Sequence, residues 1–187
     1  MTLEEMKKKV TRLIEEVSTS ETKITDDPDI EAKLNDVINQ IMFELARMKK
    51  IPDYVEMDVQ ENGLIRFEDI TEATDHEVYQ LDVVKGLKYE LKANGTIIKA
   101  LENGTAEIDY FRYPTRIDDR TIDKTYEFEL SDDALEIMPY GVAADLLKSD
   151  VSNAYGNVYA QRYQQMKQEL DPRYTMGSIS FEGGIDV

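Results

Sequence analysis

Asp75-His76-Glu77 is the one place in this 187-residue chain where an imidazole lies between carboxylates, a combination that could hold a metal ion or move a proton. Neighbouring residues on a strand or loop point different ways, and no further ligands stand at metal-site spacing, so solvated surface is the better reading of the three. Glu68-Asp69 and Asp118-Asp119 are carboxylate pairs of the kind a glycosidase uses, but 39 Asp and Glu make such pairs an expected coincidence. Neither 25–29 nor 117–120 has the alternating oxygen ligands, central Gly and closing Glu of a calcium loop. Phosphate-binding glycine loops, His-Glu-x-x-His and Gly-x-Ser-x-Gly are also missing. With no Cys and one His, thiol catalysis, disulfides and the common zinc sites are excluded. The expectation is a protein without a catalytic centre, metal or cofactor.

Two other groupings concern binding. Lys7-Lys8-Lys9 is the only basic triplet, and on a helix its members spread about 100° apart, which makes a solvated face with Glu4 and Glu5 nearby. Tyr155, Tyr159 and Tyr163 stand four residues apart. Such a row is commonly core, but a ring with a polar hydroxyl equally suits an interface. The formal charge is −17, with net values of −2 over 1–50, −10 over 51–130 and −5 over 131–187. This balance opposes wrapping of nucleic acid, which requires clustered cations. The first ten residues do not read as a signal peptide, and no run approaches the ~20 apolar residues of a membrane span. A cytoplasmic site of synthesis is expected.

The elements that would position these groups follow from periodicity. Leu3, Met6, Val10, Leu13, Ile14 and Val17 form one helical stripe. Asp27-Pro28 opens a second helix that carries Ile30, Leu34, Val37, Ile38, Ile41, Met42, Leu45 and Met48 and ends near Lys49-Lys50. From Tyr54 to Leu130 the period becomes two. Asn62-Gly63 predicts a hairpin, and Asn94-Gly95 with Asn103-Gly104 predicts a three-stranded meander. Tyr79 to Val83 and Tyr126 to Leu130 read as further strands, enough for a small sandwich or barrel, while Arg112 to Lys124 reads as a surface loop. Helical spacing returns at Ser131, a capping residue; Pro139 and Gly141 should break this helix, and a longer one follows with Val151, Ala154, Tyr155, Val158, Tyr159, Tyr163, Met166 and Leu170. The fold class is therefore α+β: an antiparallel helical bundle from both chain ends (1–51 and 131–172), an inserted all-β lobe (52–130), and an extended C-terminal tail (173–187).

The run Ala134-Leu135-Glu136-Ile137-Met138-Pro139-Tyr140-Gly141-Val142-Ala143-Ala144-Asp145-Leu146-Leu147, followed by the Tyr-rich helix 154–170 and the tail, resembles the head-to-tail adaptor (connector) proteins of tailed bacteriophages. The likeness in layout covers nearly the whole chain; in sequence it is confined to about 134–170. It implies a structural virion protein of the neck, assembled in the host cytoplasm: a ring, commonly a dodecamer, that joins the portal to a tail or neck protein. It implies double-stranded DNA passing through without specific binding. It implies side-by-side packing of the long helices between copies and a tail that reaches a neighbour or the portal, with Ile179 and Phe181 adding a strand to it. The interface residues expected on this basis are Tyr155, Tyr159, Tyr163, Ile179 and Phe181. The inserted β region is larger than in the minimal helical adaptors. A second reading is a host-surface or carbohydrate-binding β lobe on a helical oligomerisation stem, with Tyr79, Tyr89, Tyr110 and Tyr113 as stacking platforms. A third is a carboxylate-dependent hydrolase using Asp118 and Asp119.

Overall fold

Thr2 starts the first helix by a reciprocal cap: its hydroxyl accepts the Glu5 N–H at 3.3 Å, and the Glu5 carboxylate accepts the Thr2 N–H at 2.9 Å. In the computed structural model, which describes residues 1–14, 24–118, 120–149 and 154–170, this helix is α1 (Leu3–Leu13), with Leu3, Met6 and Val10 fully buried. Val17, expected on the same stripe, lies outside the described residues. Asp27 caps α2 (Pro28–Met48) as expected, accepting the N–H groups of Asp29 at 2.8 Å and Ile30 at 3.3 Å. The fold is α+β, with five α-helices and two three-stranded antiparallel sheets among the described residues.

The strands are β1 (Ile51–Val59), β2 (Leu64–Arg66), β3 (Val78–Lys85), β4 (Tyr89–Lys92), β5 (Ile97–Ala100) and β6 (Gly104–Arg112), with α3 (Phe67–Thr74) between β2 and β3. One sheet runs β1-β6-β3 and the other β2-β5-β4. Two expected pairings are therefore corrected. Asn62 does turn the chain, with φ of 64°, but β2 leaves β1 and pairs with β5. Asn103-Gly104 likewise passes the chain from β5 in one sheet to β6 in the other, so the meander stops after β4-β5. The reason lies in ladder length: β1 and β6 align from Ile51↔Arg112 to Val59↔Gly104, whereas β2 is three residues long. The long antiparallel pair satisfies more backbone groups and brings alternate apolar residues of both strands to one face. The Asn94-Gly95 connection is also longer than a two-residue turn, since Lys92 pairs with Ile97 and Ala93, Asn94 and Gly95 all have positive φ.

Sequence periodicity missed α3. Eight residues are too few to display a stripe; its start is marked instead by Asp69, whose carboxylate accepts the Arg66 N–H at 2.7 Å, and its one fully buried residue is Ile70. Ile70 joins Ile65, Val78, Val84, Ile98, Ala106, Ile108 and Tyr110 in a core shared by both sheets.

The chain after β6 behaves differently from the expected loop and strand. Tyr126–Leu130 forms no ladder, only a single bridge of Thr2 with Glu127. Ile117, Phe128 and Leu130 are buried in the cluster formed by the helices. Asn39 of α2, itself buried, fastens this segment: its side-chain amide donates to the Ile117 carbonyl at 2.8 Å and its oxygen accepts the Ile117 N–H at 2.9 Å. Replacing Asn39 by Ala strips both groups of their partners, and a loss of about 2 kcal/mol in denaturant unfolding is expected. An unchanged midpoint would show that the pair contributes nothing.

The fourth helix, α4 (Asp132–Leu146), runs straight through Pro139 and Gly141, which corrects the expected break. Its first turn differs too, because the Ser131 hydroxyl donates to the Asp133 carboxylate and caps no N–H. Pro139 withdraws a single intrahelical donor, while Met138, Val142 and Ala143 around it are fully buried against the other helices, so packing outweighs propensity. A 3-10 turn (Leu147–Ser149) follows, then α5 (Ala154–Glu169). α4 contacts α1, α2 and α5, and the four helices share one apolar core. The expected tail, 173–187, lies outside the described residues, and no described helix is long and apolar enough to cross a membrane.

Candidate functional site

The tyrosine row of α5 divides into three environments. Tyr163 is core: its ring packs on Gly141 and Ile41, and burial followed by the neighbouring Glu44 carboxylate drives its hydroxyl well above the ordinary tyrosine range. Tyr159 is half-buried, and its hydroxyl donates to the Leu13 carbonyl at 2.7 Å, tying α5 to the end of α1. Tyr155 is 61% exposed, with Val158 at 54% beside it. The expected stripe of α5 is thus split, Tyr163 and Leu170 facing inward while Tyr155 and Val158 face solvent. Lys167 adds a polar tether, donating to Glu44 of α2 at 2.6 Å. Ile179 and Phe181 lie outside the described residues.

On the other side of α5 from this solvent-facing ridge is a groove that sequence reasoning did not anticipate. Residues of α2 (Gln40, Glu44), α4 (Gly141, Ala144, Asp145) and α5 (Gly156, Asn157, Ala160, Gln164) border an open volume of about 520 Å³. The available signal was the Gly156 and Ala160 spacing, four residues apart on one helix face.

The candidate chemistry disperses. His76 pairs through Nδ1 with Asp53 Oδ2 at 2.9 Å, while Asp75 is the left-handed C-cap of α3 at φ 60°. No group of three or more His, Cys, Asp or Glu able to hold a metal occurs among the described residues. Asp69 is spent on the α3 start, and Asp118 accepts from the Arg120 N–H and the Thr121 hydroxyl, bonds that hold it below the usual carboxylate range. Asp119 lies outside the described residues. Lys7 reaches Asp123 and Lys8 reaches Glu4, so the basic triplet offers no joint patch. Tyr110 and Tyr113 are buried, Tyr113 lying between Phe43 and Tyr79 at 5.0 and 4.8 Å, and Tyr79 donates to the Ala46 carbonyl. Tyr89 is half-buried against the sheet core, which leaves no exposed platform at those four positions.

These buried contacts connect the sheets to α2. A second connection centres on Arg112, whose side chain is 12% exposed: it pairs with Asp53 at 2.9 Å and donates to both Glu129 oxygens at 3.1 and 2.9 Å. Burial would raise both carboxylates. For Asp53 the Tyr54 N–H, Arg112 and His76 outweigh it, and for Glu129 the Arg112 and Thr115 donors do, so both titrate below their ordinary values.

The outward face of the β1-β6-β3 sheet is acidic. Glu56 stands directly opposite Glu107, with Asp58 and Asp109 in the adjoining rows and Lys85 on β3 paired to Asp109. Like charges opposed across strands weaken a sheet. Comparison with protein-family models and with curated proteins gives no match for this chain.

Proposed function

We propose that the chain is a structural subunit of a tailed-phage neck, one of a ring of copies that joins the portal to the tail and continues the DNA channel. On this reading the four core helices act as a bundle from both chain ends, the sheets form an inserted lobe, and 173–187 reaches a neighbouring copy or the portal. The observation that carries it is the solvent-facing Tyr155 and Val158 ridge on a helix fastened to α1, α2 and α4, since an aromatic and aliphatic strip on a rigid element is suited to burial against another protein. The acidic outer face of the β1-β6-β3 sheet suits a wall past which phosphates slide, because repulsion leaves no deep binding minimum.

Light scattering after size exclusion tests this directly. A monomer alone and a ring in the presence of a portal ring are expected; a stable dimer or trimer that ignores portal refutes the reading. The charge of −17 per copy adds a second expectation. Copies repel one another at low ionic strength, and the screening length shrinks to about 8 Å near physiological salt. Self-association should therefore strengthen as salt rises from about 0.01 to about 0.15 M, and duplex DNA should remain unbound across that range. Association that weakens with salt would show that attractive ion pairs between copies outweigh their net repulsion.

A further inference from the structure

Resting on the ring reading, one feature of α5 specifies how copies would meet. At about 100° per residue, Tyr155, Val158 and Arg162 lie roughly 170° around the helix from Gly156, Ala160 and Gln164. The first set forms the exposed ridge and the second borders the groove. One helix thus presents an exposed apolar and cationic surface on one side and a receiving groove on the other.

The two sides are complementary in charge. Arg162 is exposed and rests over the Tyr140 ring at 4.5 Å, with no carboxylate in ion-pair range among the described residues. In the groove, Asp145 is held only loosely, by an 81% exposed Lys148 at 4.0 Å. Glu44 adds a second carboxylate, shared with Lys167. Ala144, Gly156 and Ala160 keep the groove shallow-walled, so another helix can approach at the 8–10 Å typical of close packing. Tyr163, which lines the same groove, has a buried hydroxyl without a hydrogen-bond partner among the described residues.

We propose that the α5 ridge of one copy, with Tyr155, Val158 and Arg162, seats in the α2–α4–α5 groove of a second copy, where Arg162 pairs with Asp145. Because two different surfaces meet, the contact is head-to-tail. Repetition closes a ring or extends a filament according to the rotation per copy, and it does not stop at a two-fold dimer. The ridge is apolar at Tyr155 and Val158 and cationic at Arg162, so the contact combines area with a pairing that sets register.

The chain contains no cysteine, so each one introduced reports alone. Val158→Cys and Ala144→Cys chains, each confirmed by an unchanged melting temperature, are oxidised separately and as a mixture across a series of protein concentrations. A disulfide forms only where the two Cα atoms come within about 7 Å. The expected result is a cross-linked pair in the mixture and little in either variant alone, with a ladder of higher species when one chain carries both substitutions. Arg162→Asp and Asp145→Arg should each reduce cross-linking about tenfold, and combining them in one chain should restore it. Efficient cross-linking of Val158→Cys with itself would overturn the contact in favour of a two-fold one. Rings seen by light scattering with portal but no 158–144 cross-link would overturn this contact and leave the ring reading standing. Monomers under every condition, portal included, would remove both.

Discussion

Replacing Arg112 by Met should lower the melting temperature by about 6–12 °C at neutral pH, the equivalent of about 3 kcal/mol in a chain of this size. Among the described residues the guanidinium is the only cation within ion-pair distance of Glu129, and it shares Asp53 with His76. Its removal leaves Glu129 with the Thr115 N–H and Asp53 with the Tyr54 N–H and His76, so the desolvation of two partly buried carboxylates is only partly compensated, which is more damaging than never having had charges there. The pH dependence follows from the direction of the shifts. Asp53 and Glu129 titrate below their unfolded values, so their contribution is complete above about pH 5 and disappears as pH falls through the lowered folded values. In the Met variant the loss of the guanidinium moves both carboxylates upward from their lowered values, and protonation then costs less. Wild type and variant should therefore converge in stability between about pH 5 and pH 3. Adding Glu129→Gln to Arg112→Met should recover much of the loss at neutral pH. A gap that stays constant with pH would show that Arg112 acts only through packing of its methylenes.

Gly141→Val should be of similar size, about 3 kcal/mol, but for a steric reason. A Cβ at position 141 would lie 2.9 Å from the edge of the Tyr163 ring and 3.1 Å from the Ile41 side chain. Neither can yield cheaply: Tyr163 is 4% exposed, with the Lys167 ammonium 5.1 Å from its ring. Helix propensity pulls the other way by about 1 kcal/mol, so Gly141→Ala should be clearly milder than Val. The damage should be local to the α4–α5 contact, seen as hydrogen exchange that speeds up in α5 before it does in the sheets. Tyr163→Leu in the same chain should rescue part of the Val defect, since the two substitutions share one contact. A Val variant as stable as the parent would mean that the helices separate without loss.

Both predictions concern contacts that no sequence window contains. Arg112, Asp53 and Glu129 come from β6, β1 and the segment before α4, and Gly141 meets Tyr163 twenty-two positions on. Periodicity located α1, α2 and α5 well because capping groups and apolar spacing act within a few residues, as at Thr2 and Asp27. It failed at Pro139 because a local breaking tendency was weighed without the packing that overrides it. The sheet showed the same division. Strand positions from Tyr79 to Val83 and on either side of Asn94-Gly95 and Asn103-Gly104 were legible in alternation, whereas Asn62-Gly63 and Asn103-Gly104 suggested neighbours that the strands do not have.

The candidate site was legible to a similar degree. The tyrosine row was visible as a row, but only the angle at which α5 lies on α4 turns Tyr163 inward and leaves Tyr155 and Val158 outside. The groove has walls from three helices and so could not be read from any one of them. What the amino-acid order determined alone was the type of α1, α2, α5 and most strands, the charge distribution and the exclusion of thiol and clustered-histidine chemistry, all of which depend on residue identity and short spacing. Strand partners, the burial of Tyr110 and Tyr113, the Arg112 ion pairs and the opposition of ridge to groove were decided by tertiary structure. Each depends on which distant segments meet, and that is set by the sum of burial over the whole chain.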